Sequence, residues 1–264
     1  MPWQPSALIR VTLALHVLAV VALVSYPEQW RWILGTLVLN HLLLALVGLW
    51  PRNHWLGQNW TRLPAAAAAR NEIALTIDDG PDPVVTPQVL DMLDRYRIKA
   101  TFFCVGKKAA LFPNLCREIV SRGHAVENHS QQHRHNFSFL GMVGYRKEIQ
   151  AAQDILSAIT GQRPQFFRAP AGLRNPFLDP ILSKLGLRLV SWSVRGFDTC
   201  IGNADQVKHK LLNGLHPGAI LLLHDGNAAR THADIPVIIE VLPDLLESAI
   251  AAHLRFVTLR DAAL

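Results

Sequence analysis

Cysteine is scarce in this chain. Cys104, Cys116 and Cys200 are widely spaced, form no CxxC and cannot all pair with one another. A disulfide framework is thereby excluded, and the three read as small buried hydrophobes or free thiols. Acids are almost missing from the first 70 residues, where Glu28 stands alone against Arg10, Arg31, Arg52, Arg62 and Arg70. Most of the formal charge of +6 therefore sits beside the N-terminus, and the remainder of the chain is close to neutral. No basic stripe with interleaved aromatics is present, so a nucleic-acid partner is not expected. No internal repeat is visible, nor any low-complexity tract beyond the alanine run Ala65 to Ala69.

At 264 residues the chain has room for one enzyme-sized domain plus something small. The small part is legible as two apolar stretches, Val11 to Tyr26 and Trp32 to Trp50, divided by a polar turn around Pro27, Glu28, Gln29 and Arg31. Each is close to the length a bilayer span needs, about 17 to 25 residues. His16, Asn40 and His41 count against that reading, because polar side chains at bilayer depth are costly. Flanking Trp30, Trp32, Trp50, Trp55 and Trp60 count for it, because indoles favour the headgroup interface. A cleaved signal would leave the second stretch unexplained, and no clear small-x-small cleavage site is present. The expectation is a transmembrane helical hairpin over 1–63, a linker over 64–70 and a catalytic domain over 71–264, with the lipid bilayer as a partner. Arginines flank both outer ends of the hairpin, so the positive-inside rule favours a multi-pass membrane protein with its larger domain on the cytoplasmic side.

From residue 71 onward, short β-rich runs alternate with longer helical patterns, the signature of βα units in a parallel sheet or barrel. Seven strands are expected: Ile73 to Ile77, Ala100 to Val105, His124 to Glu127, Gln165 to Arg168, Arg188 to Trp192, Ala219 to His224 and Phe256 to Leu259. Helices are expected near Thr86 to Tyr96, Pro113 to Ser121, Gly144 to Thr160, Leu178 to Leu185, Ala204 to Leu212 and Pro236 to His253, with Gly123, Gly161 and Gly186 as C-terminal caps. In that register Asp78, Asp79, His129, Arg168, His224 and Asp225 all fall at or just after strand C-termini, the rim where β/α barrels build active sites.

Two clusters carry chemistry. Asp78 and Asp79 follow an apolar strand directly and precede a Gly80-Pro81 turn. Adjacent carboxylates repel and resist burial, so they call for a compensating cation or for hydrogen bonds. His129 and His133 are four residues apart, a spacing that on a helical turn puts both imidazoles on one face, close enough to share a metal ion. Asp82 reads as a turn residue before the following helix, and His124 and His135 as bystanders.

Thr76 to Gly80 resembles the TFDDG signature of the polysaccharide deacetylases, the chitooligosaccharide deacetylase (NodB) homology domain of carbohydrate esterase family four. His129 to His133 is similar to the family's H-S/T-x-x-H metal motif, Arg168 to Gly172 to its R-x-P-x-G motif and Leu222 to His224 to its L-x-H motif. Trp192 through Asp198 resembles its W…D segment in part. The resemblance covers roughly residues 71 to 260 and implies an α/β fold, a distorted (β/α)7-type barrel. It also implies roles. Asp79, His129 and His133 would be ligands of a divalent metal, a set that suits Zn²⁺ and leaves a position open. Asp78 would be the general base, with Arg168 holding it ionised. His224 would be the general acid, its charged form favoured by Asp198. The metal and a backbone N–H near Ala171 would stabilise the tetrahedral oxyanion.

The resemblance has gaps. Many polymer-active members carry a tyrosine where Ala171 stands and a tryptophan where Thr199 stands, and an acid is common at the position of Arg195. Both aromatic losses remove surface that could stack on sugar rings. The expected substrate is accordingly an N-acetylated glycan, either a short oligosaccharide or a lipid-linked sugar at the inner membrane. The expected reaction is metal-dependent removal of the N-acetyl group with release of acetate. An O-acetyl esterase or N-deformylase using the same site is the rival within hydrolases, and a non-catalytic membrane sugar-binding protein is the rival from another class.

Overall fold

A computed structural model describes residues 3–264. It opens with α1 (Ala7–Ser25) and α2 (Trp30–Gly48), 19 residues each, or roughly 28 Å at the rise of an α-helix. The Ser6 hydroxyl caps α1 by accepting the Ile9 N–H. Both helices are long and apolar enough to cross a membrane. Their outer faces are apolar and bare, with Val17, Val24, Trp32 and Leu39 all well exposed. The polar residues that counted against a span are turned toward each other. Thr12 Oγ1 donates to Asn40 Oδ1 (3.1 Å), and the His16 and His41 rings meet edge to face at 5.2 Å. Each histidine also bonds through Nδ1 to the carbonyl four residues earlier in its own helix, so that nitrogen is satisfied within the helix.

The hairpin is fastened to the rest of the chain. Trp3 Nε1 donates to Asp179 Oδ2 (2.7 Å), the Arg174 N–H to the Gly48 carbonyl (3.2 Å), and Ser191 Oγ to the Pro51 carbonyl (2.7 Å). Trp30, Trp32, Trp50 and Trp55 are exposed, but Trp60 is not an interfacial residue. It bridges Val190 in parallel register and packs its ring, tilted by 56°, against Phe166 at 5.3 Å. The segment expected as a linker contains a short helix, α3 (Ala65–Ala69), with Ala67 buried.

Strands and helices then alternate: β1 (Glu72–Asp78), α4 (Val85–Arg95), β2 (Thr101–Cys104), α5 (Gly106–Leu111), α6 (Pro113–Ser121), β3 (Ala125–Asn128), α7 (Met142–Thr160), β4 (Phe166–Phe167), α8 (Leu178–Leu185), β5 (Arg188–Leu189), β6 (Val194–Arg195), α9 (Ala204–Leu212), β7 (Ile220–His224), α10 (Val237–Ala251) and β8 (Arg255–Phe256). Gly123, Gly161 and Gly186 all take the positive φ expected of residues that end helices. The sheet order is β5-β4-β3-β2-β1-β7-β6, with β8 paired to the start of β1. Every ladder is parallel. The sheet curls but does not close between β5 and β6, where the Trp60 segment bonds to β5 through Trp60 N–H to the Leu189 carbonyl (2.9 Å) and Ser191 N–H to the Trp60 carbonyl (2.8 Å). This is the distorted, partly open barrel expected from the resemblance.

Side chains alternate across a strand, and β1 shows what that does. Ile73, Leu75 and Ile77 pack outward with Val89, Leu93, Leu221 and Leu223 under the helices. Ala74 packs inward with Phe103, Phe166, Val190 and Leu222, and Thr76 and Asp78 follow it on that inner face. Burying each large aliphatic chain of the outer layer contributes about 1.5–3 kcal/mol. That layer fixes the register by which the inner residues reach the rim.

Candidate active site

Asp78 is the last residue of β1 and points into the barrel. By alternation Asp79 should point outward. Its left-handed backbone (φ 71°) turns it back, so both carboxylates reach one cleft. The chain next passes Asp225 so closely that a Cβ at Gly80 would lie 2.5 Å from its carboxylate. Asp82 is a turn residue, its Oδ1 accepting the N–H groups of Val84 and Val85.

His129 and His133 converge, though not on a helix. They lie on the loop after β3, where Ser130 (φ 66°) and His133 (φ 50°) are left-handed. Asn128 Oδ1 accepts the Ser130 N–H (2.9 Å) and Ser130 Oγ accepts the His133 N–H (3.0 Å). These two bonds replace the helical turn inferred from spacing and bring the imidazole centroids to 4.9 Å.

Asp79 Oδ1 lies 3.1 Å from His129 Nε2 and 3.0 Å from His133 Nε2. It is buried and has no hydrogen-bond partner. Burial opposes ionisation of Asp79, but the two neighbouring imidazoles outweigh it and hold the carboxyl below the usual carboxylate range. His129 Nδ1 lies 2.8 Å from the Arg168 carbonyl. A carbonyl can only accept, so Nδ1 carries a proton and Nε2 is the ring nitrogen turned toward Asp79. A carboxylate oxygen and the Nε2 atoms of His129 and His133 thus face one point, all within 4.8 Å of one another. The chemistry of the donor set fits a divalent cation, and the backbone carbonyl behind His129 is the partner that metal-ligating histidines commonly use. Asn227, left-handed two residues after Asp225, donates through Nδ2 to Asp79 Oδ2 (3.1 Å). Lys108 Nζ donates to the Asp79 carbonyl (2.7 Å).

Asp78 has a different partner. Arg168, fully buried, donates through Nη1 to Asp78 Oδ1 (2.6 Å) and to Thr76 Oγ1 (2.8 Å). Its Nη2 reaches the Ser191 carbonyl (2.7 Å) and its Nε the Val190 carbonyl (3.3 Å), and its guanidinium lies 4.2 Å over the Phe103 ring. Asp78 Oδ2 is directed toward the histidine side, 3.7 Å from His129 Nε2.

At the end of β7, His224 Nδ1 lies 2.9 Å from Asp198 Oδ1, and Asp198 Oδ2 accepts the His224 N–H (2.7 Å). Burial pushes the imidazole down, but Asp198, with smaller contributions from Asp78 and Asp79, lifts it to about 8. Asp225 does not line the cleft. It holds the turn, with Thr86 Oγ1 donating to its Oδ2 and Gly226 N–H to its Oδ1 (2.9 Å), and burial pushes its carboxyl up to about 7.

All seven residues expected at the site are brought together around one rim. Asp78, Asp79, His129, His133 and His224 line a cleft of about 680 Å³, with Ala171, Trp192, Arg195 and Thr199 on its walls. Arg168 and Asp198 stand behind it. Of the bystander histidines, His135 does line the cleft. His124 is structural: its Nδ1 accepts the Ala100 N–H (3.1 Å), and burial lowers it to about 4, which keeps it neutral. Lys108 and Asn227 were not expected. No motif spacing marks them, because each reaches Asp79 through tertiary contact.

A family model described as polysaccharide deacetylase matches residues 65–190. A peptidoglycan-N-acetylglucosamine deacetylase of Bacillus cereus is 32% identical over 214 residues, 79% of this chain and 75% of that protein. A crystal structure of a peptidoglycan N-acetylglucosamine deacetylase bound to a naphthyl N-hydroxybenzamide is 30% identical with a TM-score of 0.70, over 77% of this chain and 92% of that one. A family 4 acetyl xylan esterase from Clostridium thermocellum, solved with a cobalt ion, is 31% identical with a TM-score of 0.64, over 72% of this chain and 89% of that one. With the fold and motifs in agreement, these likenesses establish that the chain belongs to the polysaccharide deacetylase family of hydrolases.

Proposed function

We propose that the protein is a membrane-held, zinc-dependent N-deacetylase that hydrolyses the acetamido group of an N-acetylated saccharide, an oligosaccharide or a lipid-linked glycan, and releases acetate. The observation that carries this reading is the division of labour between two adjacent carboxylates. Asp79 faces two imidazoles, while Asp78 faces a buried arginine and keeps one oxygen toward the same point. Asp79, His129 and His133 would hold the zinc, which lowers the pKa of water and polarises the acetyl carbonyl.

The protein's own residues supply the rest. Asp78, oriented by Arg168, takes the proton of the attacking water. The Ala171 N–H, on a left-handed residue at the cleft wall (φ 53°), donates to the developing oxyanion. His224, charged through Asp198, gives its proton to the departing amine. An amine is a poor leaving group, so this proton matters more for an amide than for an ester. The bare apolar faces of α1 and α2 support a bilayer as their surroundings, since so large an exposed apolar surface is unfavourable in water. The arginine distribution supports a cytoplasmic position for the catalytic domain.

The test is acetate release by the full-length protein in detergent, measured on a panel of N-acetyl and O-acetyl saccharides. N-acetyl substrates should be turned over, and Asp78→Asn should slow that turnover by about 10²–10⁴-fold. Acetate from O-acetyl substrates alone would contradict the amide assignment.

A further inference from the structure

Beside the catalytic cleft lies a second cavity of about 540 Å³ that shares Trp192 and Arg195 with it. Its other walls are Trp50, Pro51 and Arg52, just past the end of α2, and Phe197 and Lys210. It therefore joins the domain end of the hairpin to the reacting site.

The cavity is cationic and has no anion of its own. None of Arg52, Arg195 and Lys210 forms an ion pair among the described residues. Arg52 spends one N–H on the Ser193 carbonyl (3.0 Å). The Arg195 guanidinium is held between two aromatic rings, 5.3 Å from Trp192 and 5.0 Å from Phe197, and its Nε is buried without a partner. Lys210 Nζ lies 5.6 Å from the same Phe197 ring. A guanidinium set against two aromatic rings and without a carboxylate partner suits an oxyanion at its accessible N–H groups.

We propose that this cavity binds the phosphate group that joins the substrate's sugar to a lipid, so that the enzyme acts on a glycosyl phosphate embedded in the membrane. The inference rests on the reading of the chain as a membrane-held N-deacetylase and specifies its substrate. The geometry suits that class. The phosphate meets Arg52, Arg195 and Lys210, the lipid runs past exposed Trp50 toward the apolar face of the hairpin, and the sugar projects past Trp192 to the carboxylates. A neutral free polymer uses none of these cations.

The test compares two substrates of the full-length, zinc-loaded protein in neutral detergent: N-acetylglucosamine joined through phosphate to farnesol, and the neutral N-acetylglucosamine trimer. The expected kcat/KM is at least about tenfold higher for the phosphate-linked sugar, the size of one charge-assisted hydrogen bond. In the double variant Arg52→Gln/Lys210→Gln that ratio should collapse through KM, and Arg52→Lys/Lys210→Arg should keep it. Added salt should raise KM for the phosphate-linked sugar only. An equal preference for the two substrates, or a ratio unchanged in the double variant, overturns the proposal. Equal competition by phosphatidylglycerol micelles would also overturn it, because the cavity would then be a general headgroup site. If neither substrate is hydrolysed, the deacetylase reading fails first. Binding of farnesyl phosphate, tighter for the parent protein than for the glutamine variant, still decides the cavity's role.

Discussion

The Arg168 guanidinium donates to Asp78 Oδ1 across 2.6 Å, and both side chains are buried. The pair separates two carboxylates that are neighbours in sequence. Asp78 is occupied by a fixed cation that cannot be displaced without leaving a buried charge, while Asp79 faces the two imidazoles.

Asp78→Asn should therefore lower kcat by about 10²–10⁴-fold, the range for a positioned base, without loss of the metal. Circular dichroism and elemental analysis check the second half. Loss of bound metal in this variant would mean that Asp78 is itself a ligand.

Arg168→Met should destabilise the fold by about 3–5 kcal/mol, because it strands the buried Asp78 carboxylate. It also removes donors from Thr76 and from two backbone carbonyls. Urea denaturation reads this, and a change under 1 kcal/mol would contradict the role assigned to the pair. Arg168→Lys cannot restore the bonding, since an ammonium has no planar fork.

His224 titrates near pH 8, above the ordinary histidine value, so its protonated form persists through neutrality and is lost as pH rises. Activity on an amide should fall along an alkaline limb near that value. Asp198→Asn removes the main cause of the upward shift, and the limb should move toward acid. Bound zinc displaces both limbs in the same direction, so the difference between the variants is the readout. A limb that does not move between them would exclude His224 as the group behind it.

How much of this was legible beforehand follows from how local each cause is. β1, β2 and β7 declare themselves as buried apolar runs, and Asp78, Asp79 and His224 sit at their ends. Arg168 needed motif context to be assigned, since an arginine after a strand says nothing by itself of a partner 90 residues away. β6 was missed because the run Arg188 to Trp192 reads as one strand, whereas the chain pairs first at Arg188–Leu189 and again at Val194–Arg195. The convergence of His129 and His133 was foreseen but its cause was not, because left-handed residues in a polar loop leave no periodic signal. Trp60 was misplaced for a similar reason: a tryptophan near an apolar segment reads as a membrane anchor, and only the tertiary structure shows it filling the open edge beside β5.

The hairpin makes its own prediction. The full-length protein should stay with membranes through an alkaline carbonate wash, and a reporter fused after Leu264 should give the cytoplasmic signal. Release by the wash would contradict the bilayer reading. A periplasmic reporter signal would reverse the orientation and leave the site chemistry untouched.

The measurement closest to the central claim is a zinc titration of chelator-stripped protein, with acetate release and bound metal followed together. Activity should be absent at the start and rise in proportion to zinc, ending at one equivalent per chain. His133→Ala should retain the fold and lose that stoichiometric binding. Full acetate release from protein shown to hold no metal would contradict the account.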